Sequence, residues 1–404
     1  MLNESVLLPP RSHFDWKSPT MRRIAAILSA IPLLTACATS LPSPGAGTGP
    51  GLDRLVPQLI EAEDVAGIGI AVIENGELSR TWYYGEQEPG RPVDEDTVFN
   101  TASVAKTVLA ELYIELDDRR LIDLDTPVSS LITHDDLAAD ERFGELTPRI
   151  LLSHSSGLRN WPHSYSDGKL AFDFAPGEGF GYSGAGIELA ARYASTKLGK
   201  DYRELVDTYV LEPGRLEDIS PGRIEPWMDG HLARPKNAAG EWTTIEAVNA
   251  NLAAGGSDSA ADDLLATVPG YARFLERVIR DEGNHPQRAA ILTSVLASPN
   301  YRCRSALTRI CPEAAGHSIG WQVNRYRDHE VVFHSGSDGG ENALVYFSPQ
   351  TRDGAVIFVN GANGWVPMVR IVEALGQEPL FADYLRGVIG DILSRDLEPI
   401  AATR

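Results

Sequence analysis

Strand-like segments at the two ends of the chain, with helix-like segments between them, most constrain how it can fold. Residues 65–74 alternate small and β-branched residues, Asn75-Gly76 is a turn signal, and residues 78–84 predict a returning strand. Strand patterns return later in the chain, at residues 330–333, 343–347 and 355–359. We therefore expect one sheet, built from N-terminal and C-terminal segments, with a mostly helical region inserted between them.

Apolar periodicity predicts the helices. Within residues 101–120, apolar side chains recur at helical spacing, at Val104, Val108, Leu112 and Leu116. Other segments predict helices in the same way, at 187–198, 260–279 and 381–392. The expected globular region spans residues 53–404, with the sheet region at about 53–105 and 300–404 and the helical insert at about 106–300.

The first residues predict an exported, lipid-anchored protein. Met21-Arg22-Arg23 is a short positive segment, residues 24–34 are apolar, and Cys37 ends the run, as in a bacterial lipoprotein box. Residues 1–36 therefore read as a signal region with Met21 as the preferred start, and Cys37 as the lipidated residue. The alternative is that Cys37 is a small apolar residue in a signal tail. Residue 38 is Ala rather than Asp, which by resemblance to the sorting rules of Gram-negative bacteria favours the outer membrane over the inner one. We therefore expect a periplasmic protein that is anchored at the outer membrane.

Composition and net charge predict a flexible tether and exclude one class of partner. Residues 37–52 are rich in Ser, Pro and Gly and are expected to form a flexible tether. The net charge of −20 argues against a nucleic-acid partner, because phosphate backbones are repelled. The oligomeric state stays open.

Cysteine and histidine usage predicts a disulfide rather than a metal centre. Cys303 and Cys311 stand eight residues apart and, in an exported protein, are expected to form a local disulfide. A metal site including His317 is the alternative, but further ligands are missing nearby. The nine histidines form no metal-type motif such as His-Glu-x-x-His. We expect neither a metal nor a cofactor.

Ser103 and Lys106 are candidates for nucleophile and base. Three residues apart on a helix, they lie on one face, and a lysine can take the serine proton if its pKa is lowered. Ser103 is expected in the first helical turn, where its N–H could stabilise an oxyanion. A second oxyanion donor is expected at the N–H of Ser337. The ordinary interpretation of such a pair is a solvated helix edge.

Tyr182 and the His334-Ser335-Gly336 triplet complete the candidate set. Tyr182 could pass a proton to the leaving group and later activate water. Gly336 would let a substrate approach its strand closely. Singly, these residues are usually structural, but their order and spacing along the chain favour catalysis.

The chain resembles the serine β-lactamase and penicillin-binding protein superfamily, and is most similar to its class C β-lactamase and family VIII esterase branch. Family-like stretches cover nearly all of the chain from about residue 54, among them Ser103-Val104-Ala105-Lys106, Leu151-Leu152-Ser153-His154-Ser155-Ser156-Gly157-Leu158, Tyr182-Ser183 and His334-Ser335-Gly336-Ser337. The resemblance implies a β-lactamase-like α/β (α+β) fold whose antiparallel sheet is flanked by helices. It implies that Ser103 is acylated and that Lys106 and Tyr182 share the proton transfers. It gives His154 an architectural role.

Two departures from the family pattern bear on the substrate. The family motif Tyr-x-Asn is Tyr182-Ser183-Gly184 here, so the position that binds the substrate's acylamido carbonyl has no side chain. His334 stands where many relatives have lysine, and a histidine is mostly neutral near pH 7. Losing an orienting hydrogen bond costs about 1–3 kcal/mol. Both departures weaken penicillin hydrolysis and leave ester hydrolysis open.

The sequence thus predicts a serine hydrolase that works through an acyl-enzyme on Ser103. Its expected substrates are small esters, or D-amino-acid amides or peptides, with the site residues Ser335, Gly336 and Gly184 lining the substrate. A β-lactamase or a D,D-peptidase acting on cell-wall peptides is the close alternative. A binding or scaffold protein that kept the fold without turnover is the alternative of another class.

Overall fold

A computed structural model describes residues 50–244, 248, 259–280, 294, 296, 310–327 and 329–398. The signal region, the lipidation site Cys37, most of the tether and Cys303 lie outside these residues. The lipid anchor and the disulfide therefore stay predictions.

An eight-stranded antiparallel sheet, in the order β3-β2-β1-β11-β10-β9-β8-β7, forms the centre of the described chain. Its strands are β1 Gly67–Glu74, β2 Glu77–Glu88, β3 Arg91–Pro92, β7 Ala314–His317, β8 Gln322–Tyr326, β9 His329–Asp338, β10 Glu341–Phe347 and β11 Gly354–Asn360. The central pair joins β1 to β11, with Gly67 opposite Asn360. The predicted sheet of N-terminal and C-terminal segments is therefore confirmed.

A smaller sheet has the order β4-β6-β5, formed by β4 Val98–Asn100, β5 Ile219–Pro221 and β6 Leu264–Thr267. The prediction of a mostly helical insert missed β5 and β6, and the helix predicted over 260–279 begins only at Val268. Residues 264–267 are a short, fully buried apolar run. Periodicity cannot distinguish such a run from a helix segment, and pairing with both neighbours decides for the strand.

Helices cover the sheets and build the inserted region. Within the described residues, the α-helices of five residues or more are α1 Pro50–Glu63, α2 Ala105–Asp118, α3 Pro148–Leu152, α4 Gly184–Leu198, α5 Tyr202–Val206, α6 Val268–Arg280, α7 Trp365–Leu375 and α8 Pro379–Leu393. Because α1 begins at Pro50 and buries Leu52, the predicted tether ends earlier than residue 52. Among the described residues, no helix is both long and apolar enough to cross a membrane.

The two faces of the sheet pack against different helices. In β1, Ile68, Ile70 and Val72 join a core with α1, α7 and α8, whereas Ala71 and Ile73 join a core with α2 and α6. Successive side chains of a strand point to opposite faces, so a strand covered on both sides must be apolar throughout. Seven of the eight residues of β1 are accordingly buried. The sheet places one end of β9 beside the turn that precedes α2, where the candidate site lies.

Candidate active site

The candidate nucleophile lies in a tight turn, Ala102–Val104, which is a 3-10 turn directly before α2. Ser103 is therefore not in the first α-helical turn, as the sequence predicted, because the α-helix begins only at Ala105. Ala102 has a φ of +49°, a strained value for a residue with a side chain. Its N–H donates to Asn100 Oδ1 at 3.0 Å, which helps to hold the turn.

Lys106 contacts the candidate nucleophile directly. Its Nζ lies 3.0 Å from Ser103 Oγ, and it also donates a hydrogen bond to the carbonyl of Ala261. Ser103 is 2% exposed and Lys106 is 1% exposed. The lysine amine is thus aimed at the serine hydroxyl in a site from which most water is excluded.

Tyr182 lies beside Lys106. The Lys106 Nζ is 5.0 Å from the centroid of the Tyr182 ring, and that ring stacks on His154 with centroids 4.2 Å apart. Tyr182 is 6% exposed. The structure therefore places the side chains of Ser103, Lys106 and Tyr182 close together.

His154 acts as a support for the tyrosine. Its Nδ1 accepts a hydrogen bond from the Ser183 N–H at 3.2 Å, so Nδ1 carries no proton. Burial, and then the neighbouring His317, Lys106 and His334, lowers the pKa of His154 well below its usual value. His154 is therefore neutral. His317 packs edge-on against it, with ring centroids 5.0 Å apart, a contact that the sequence did not reveal.

One edge of β9 faces the nucleophile turn. Within the described part of the chain, β8 pairs with residues 329–333 of β9, and no strand pairs with residues 334–338 on the side away from β10. A Cβ added to Gly336 would lie 2.1 Å from the Thr101 carbonyl oxygen and 3.0 Å from the Ser103 nitrogen. Only glycine allows this approach. Ser335 is buried and Ser337 half-buried on the same strand.

His334 is buried and neutral. Its Nδ1 lies 2.8 Å from the Ser335 carbonyl oxygen, which can only accept, so Nδ1 carries the proton. Within the described chain, its Nε2 is buried without a hydrogen-bond partner. Burial, and then Lys106, lowers the pKa of His334 to about 3. This histidine therefore offers a lone pair rather than a positive charge.

Glu188 is a support that the sequence did not indicate. The Ala261 N–H donates to Glu188 Oε1 at 2.9 Å, and Ser259 Oγ lies 3.2 Å from the same oxygen. Burial, and then the Asp262 carboxylate, raises the pKa of Glu188 to about 7. Glu188 thus holds the residue whose carbonyl binds Lys106.

Gly184 stands at the start of α4, and its N–H donates to Asn160 Oδ1. The Trp161 ring occupies the space in which a Cβ at this position would lie. A separate cavity of about 430 Å³ is lined by Trp227 and by none of the candidate catalytic residues. Over the part of the chain that is described, no group of three or more His, Cys, Asp or Glu side chains could hold a metal ion.

Comparisons with known proteins identify the family of the chain. The family model "Beta-lactamase" matches residues 52–373. Esterase EstB of Burkholderia gladioli is 28% identical over 204 residues, which is 43% of this chain. The chain spans about half of the length of such curated relatives, 52% in the case of the esterase.

Solved structures share the fold. The octameric penicillin-binding protein homologue from Pyrococcus abyssi superposes with a TM-score of 0.66 at 18% identity, over 85% of this chain and 80% of the other. A class C beta-lactamase superposes with a TM-score of 0.62 at 17% identity, over 80% of this chain and 93% of the other. The predicted resemblance and fold class are confirmed, and the chain belongs to the beta-lactamase family.

Proposed function

We propose that this chain is a serine hydrolase that forms an acyl-enzyme on Ser103 and that its main substrates are esters of small acyl groups. The observation that carries the proposal is the 3.0 Å contact between Lys106 Nζ and Ser103 Oγ in a buried site. A buried serine hydroxyl becomes a nucleophile only when a base takes its proton, and the lysine amine is the group in reach.

In the proposed acylation, Lys106 takes the Ser103 proton as the serine oxygen attacks the ester carbonyl. The developing oxyanion would be bound by the N–H groups of Ser103 and Ser337, and one such donor typically lowers the barrier by about 3 kcal/mol. Tyr182, beside Lys106, would pass the proton to the leaving alcohol. Water then attacks the acyl-enzyme by the same route in reverse and releases the acid.

The polar groups of the site favour esters over β-lactams and peptides. Gly184 has no side chain to bind an acylamido carbonyl, and neutral His334 offers no charge for a substrate carboxylate. A simple ester needs neither group. Hydrolysis of D-amino-acid amides or peptides remains within the same proposal, because the acylation steps are the same.

The decisive test is covalent labelling combined with turnover. We expect a fluorophosphonate to attach one phosphonyl group to the wild-type protein, visible in its intact mass, and none to Ser103→Ala. We expect release of p-nitrophenol from p-nitrophenyl butyrate, with nitrocefin turned over far more slowly. Fast nitrocefin turnover would instead identify a β-lactamase, and a stable benzylpenicillin adduct a peptidase-like protein. A protein that is neither labelled nor active would be a scaffold.

We also propose that the mature protein is anchored by lipid at Cys37, in the periplasm and at the outer membrane of a Gram-negative bacterium. The proposal rests on the signal-like segment and on Cys37 and Ala38. Metabolic labelling with an alkynyl fatty acid should mark the wild-type protein. Cys37→Ser should abolish the label, and a labelled variant would refute the anchor.

A further inference from the structure

Trp161 and Gly184 make a contact at the edge of the candidate active site that the proposed mechanism does not use. A Cβ atom added to Gly184 would lie 2.2 Å from Cζ2 and 2.7 Å from Cη2 of the Trp161 indole. These distances are far shorter than an ordinary van der Waals contact. The indole therefore fills the space into which any side chain at position 184 would project.

The indole lies on the same side of the chain as the catalytic tyrosine. Ser183, between Tyr182 and Gly184, is extended, with φ −140° and ψ 107°. In an extended segment, residues two apart direct their side chains to the same side. Tyr182 directs its ring toward Lys106. The direction that is filled by Trp161 is thus the active-site side of the segment.

Hydrogen bonds hold the backbone that precedes Trp161 against the start of α4. Ser183 Oγ donates to the Arg159 carbonyl at 2.9 Å, the Ala185 N–H donates to the Asn160 carbonyl at 3.0 Å, and the Gly184 N–H donates to the Asn160 side chain. These bonds fix the backbone just before the tryptophan to the start of α4. The half-buried ring of Trp161 also stacks nearly parallel on the imidazole of His163, with ring centroids 6.1 Å apart.

We infer that Trp161 determines acyl-group selectivity at this site. It favours apolar acyl groups and disfavours acyl groups that carry an amide on the carbon next to the reacting carbonyl. The inference rests on the proposed esterase function and names its substrate class more closely. An amide that is buried against an indole leaves its hydrogen-bonding groups unpaired, whereas an alkyl chain gains apolar contact there. An unpaired amide should lower the rate by roughly tenfold to a hundredfold.

Two esters of equal length test this selectivity. The p-nitrophenyl esters of pentanoic acid and of N-acetylglycine have the same leaving group, and the second has an amide in place of two methylene groups. The ratio of their kcat/KM values, each corrected for spontaneous hydrolysis, isolates the effect of the amide. We expect the wild-type protein to prefer the pentanoate by about tenfold or more.

Substitutions at Trp161 and Gly184 change the space that the indole fills. Trp161→Ala combined with Gly184→Asn removes the indole and adds an amide side chain, and should lower the preference for the pentanoate by about tenfold. Trp227→Ala is the matched control, because Trp227 is 38% exposed and lines the separate cavity. We expect it to leave the ratio unchanged.

Thermal stability tests the contact without relying on activity. Gly184→Asn alone would drive its Cβ into the Trp161 ring and should lower the Tm. Adding Trp161→Ala to that variant should restore part of the lost Tm. If Gly184→Asn alone is as stable as the wild-type protein, the contact is wrong and the inference is overturned.

Labelling separates this inference from the function on which it rests. If a fluorophosphonate does not label wild-type Ser103, the proposed function fails, and the inference fails with it. If Ser103 is labelled and both esters are hydrolysed, but the double variant keeps the wild-type ratio, only the selectivity inference is overturned. Labelling together with a shifted ratio supports both.

Discussion

Replacing Gly336 with alanine should disable the nucleophile by pushing β9 away from the turn that bears Ser103. The added Cβ would lie 2.1 Å from the Thr101 carbonyl oxygen, whereas ordinary contact begins near 3.4 Å, so strand and turn must separate by about 1.3 Å. A misplacement of about 1 Å near reacting atoms can lower the rate by about a hundredfold. We therefore expect kcat/KM for p-nitrophenyl butyrate to fall by about that factor, which is about 2.7 kcal/mol of activation free energy.

Stability should change less than activity in this variant. Overpacking of this kind costs about 1–3 kcal/mol, and in a domain of this size that lowers the Tm by only several degrees. Gly144→Ala is a suitable control, since a Cβ at Gly144 meets no atom within 4 Å. A Gly336→Ala protein with wild-type kcat/KM and wild-type Tm would refute the close approach of β9 to the nucleophile turn.

Further predictions concern individual side chains. Ser103→Ala should abolish turnover and leave the Tm within a few degrees; residual activity at the wild-type level would exclude this nucleophile. Because the folded-state pKa of Glu188 is raised to about 7, the unfolded state loses its proton first, and the contribution of this group to stability should decline as the pH rises from about 4.5 to 7. Relative to the wild-type protein, Glu188→Gln should therefore gain Tm over this range, and an unchanged Tm profile would contradict the raised pKa. The contribution of His334 to stability changes with pH in the opposite direction. Its folded-state pKa is lowered to about 3, so as the pH falls below 6.5 the unfolded state takes up the proton first. His334→Asn should therefore reduce the loss of Tm between pH 6.5 and 4; an equal loss would count against a neutral buried imidazole. The mature protein should show no thiol that reacts with iodoacetamide at Cys303 or Cys311 without a reductant, and alkylation of either would argue against the disulfide.

The sequence was sufficient for the main sheet because its central strands carry local signals. The alternation in residues 65–74 and the Asn75-Gly76 turn lie within the β1–β2 hairpin, and residues 343–347 and 355–359 lie within β10 and β11. The smaller sheet was missed because its strands are only three or four residues long. Such short strands are specified by their partners, which lie far away in the chain.

The candidate site shows the same division between local and long-range information. Ser103 and Lys106 meet because they lie three residues apart, and this spacing is visible in the sequence. The support that Glu188 gives to Ala261 joins residues that are 73 positions apart. No periodicity or motif encodes such a contact, since it depends on how α4 packs within the folded chain.

The pairing of β1 with β11 has a consequence for when the chain can fold. Gly67 lies opposite Asn360, so 293 residues separate the two partners at the centre of the sheet. Closing a loop of this length costs about 5 kcal/mol of chain entropy before the pair forms, and such distant pairing slows folding. An emerging chain cannot complete its core until nearly all of it has been synthesised. For the export that we propose, this delay would keep the chain unfolded while it passes through a channel.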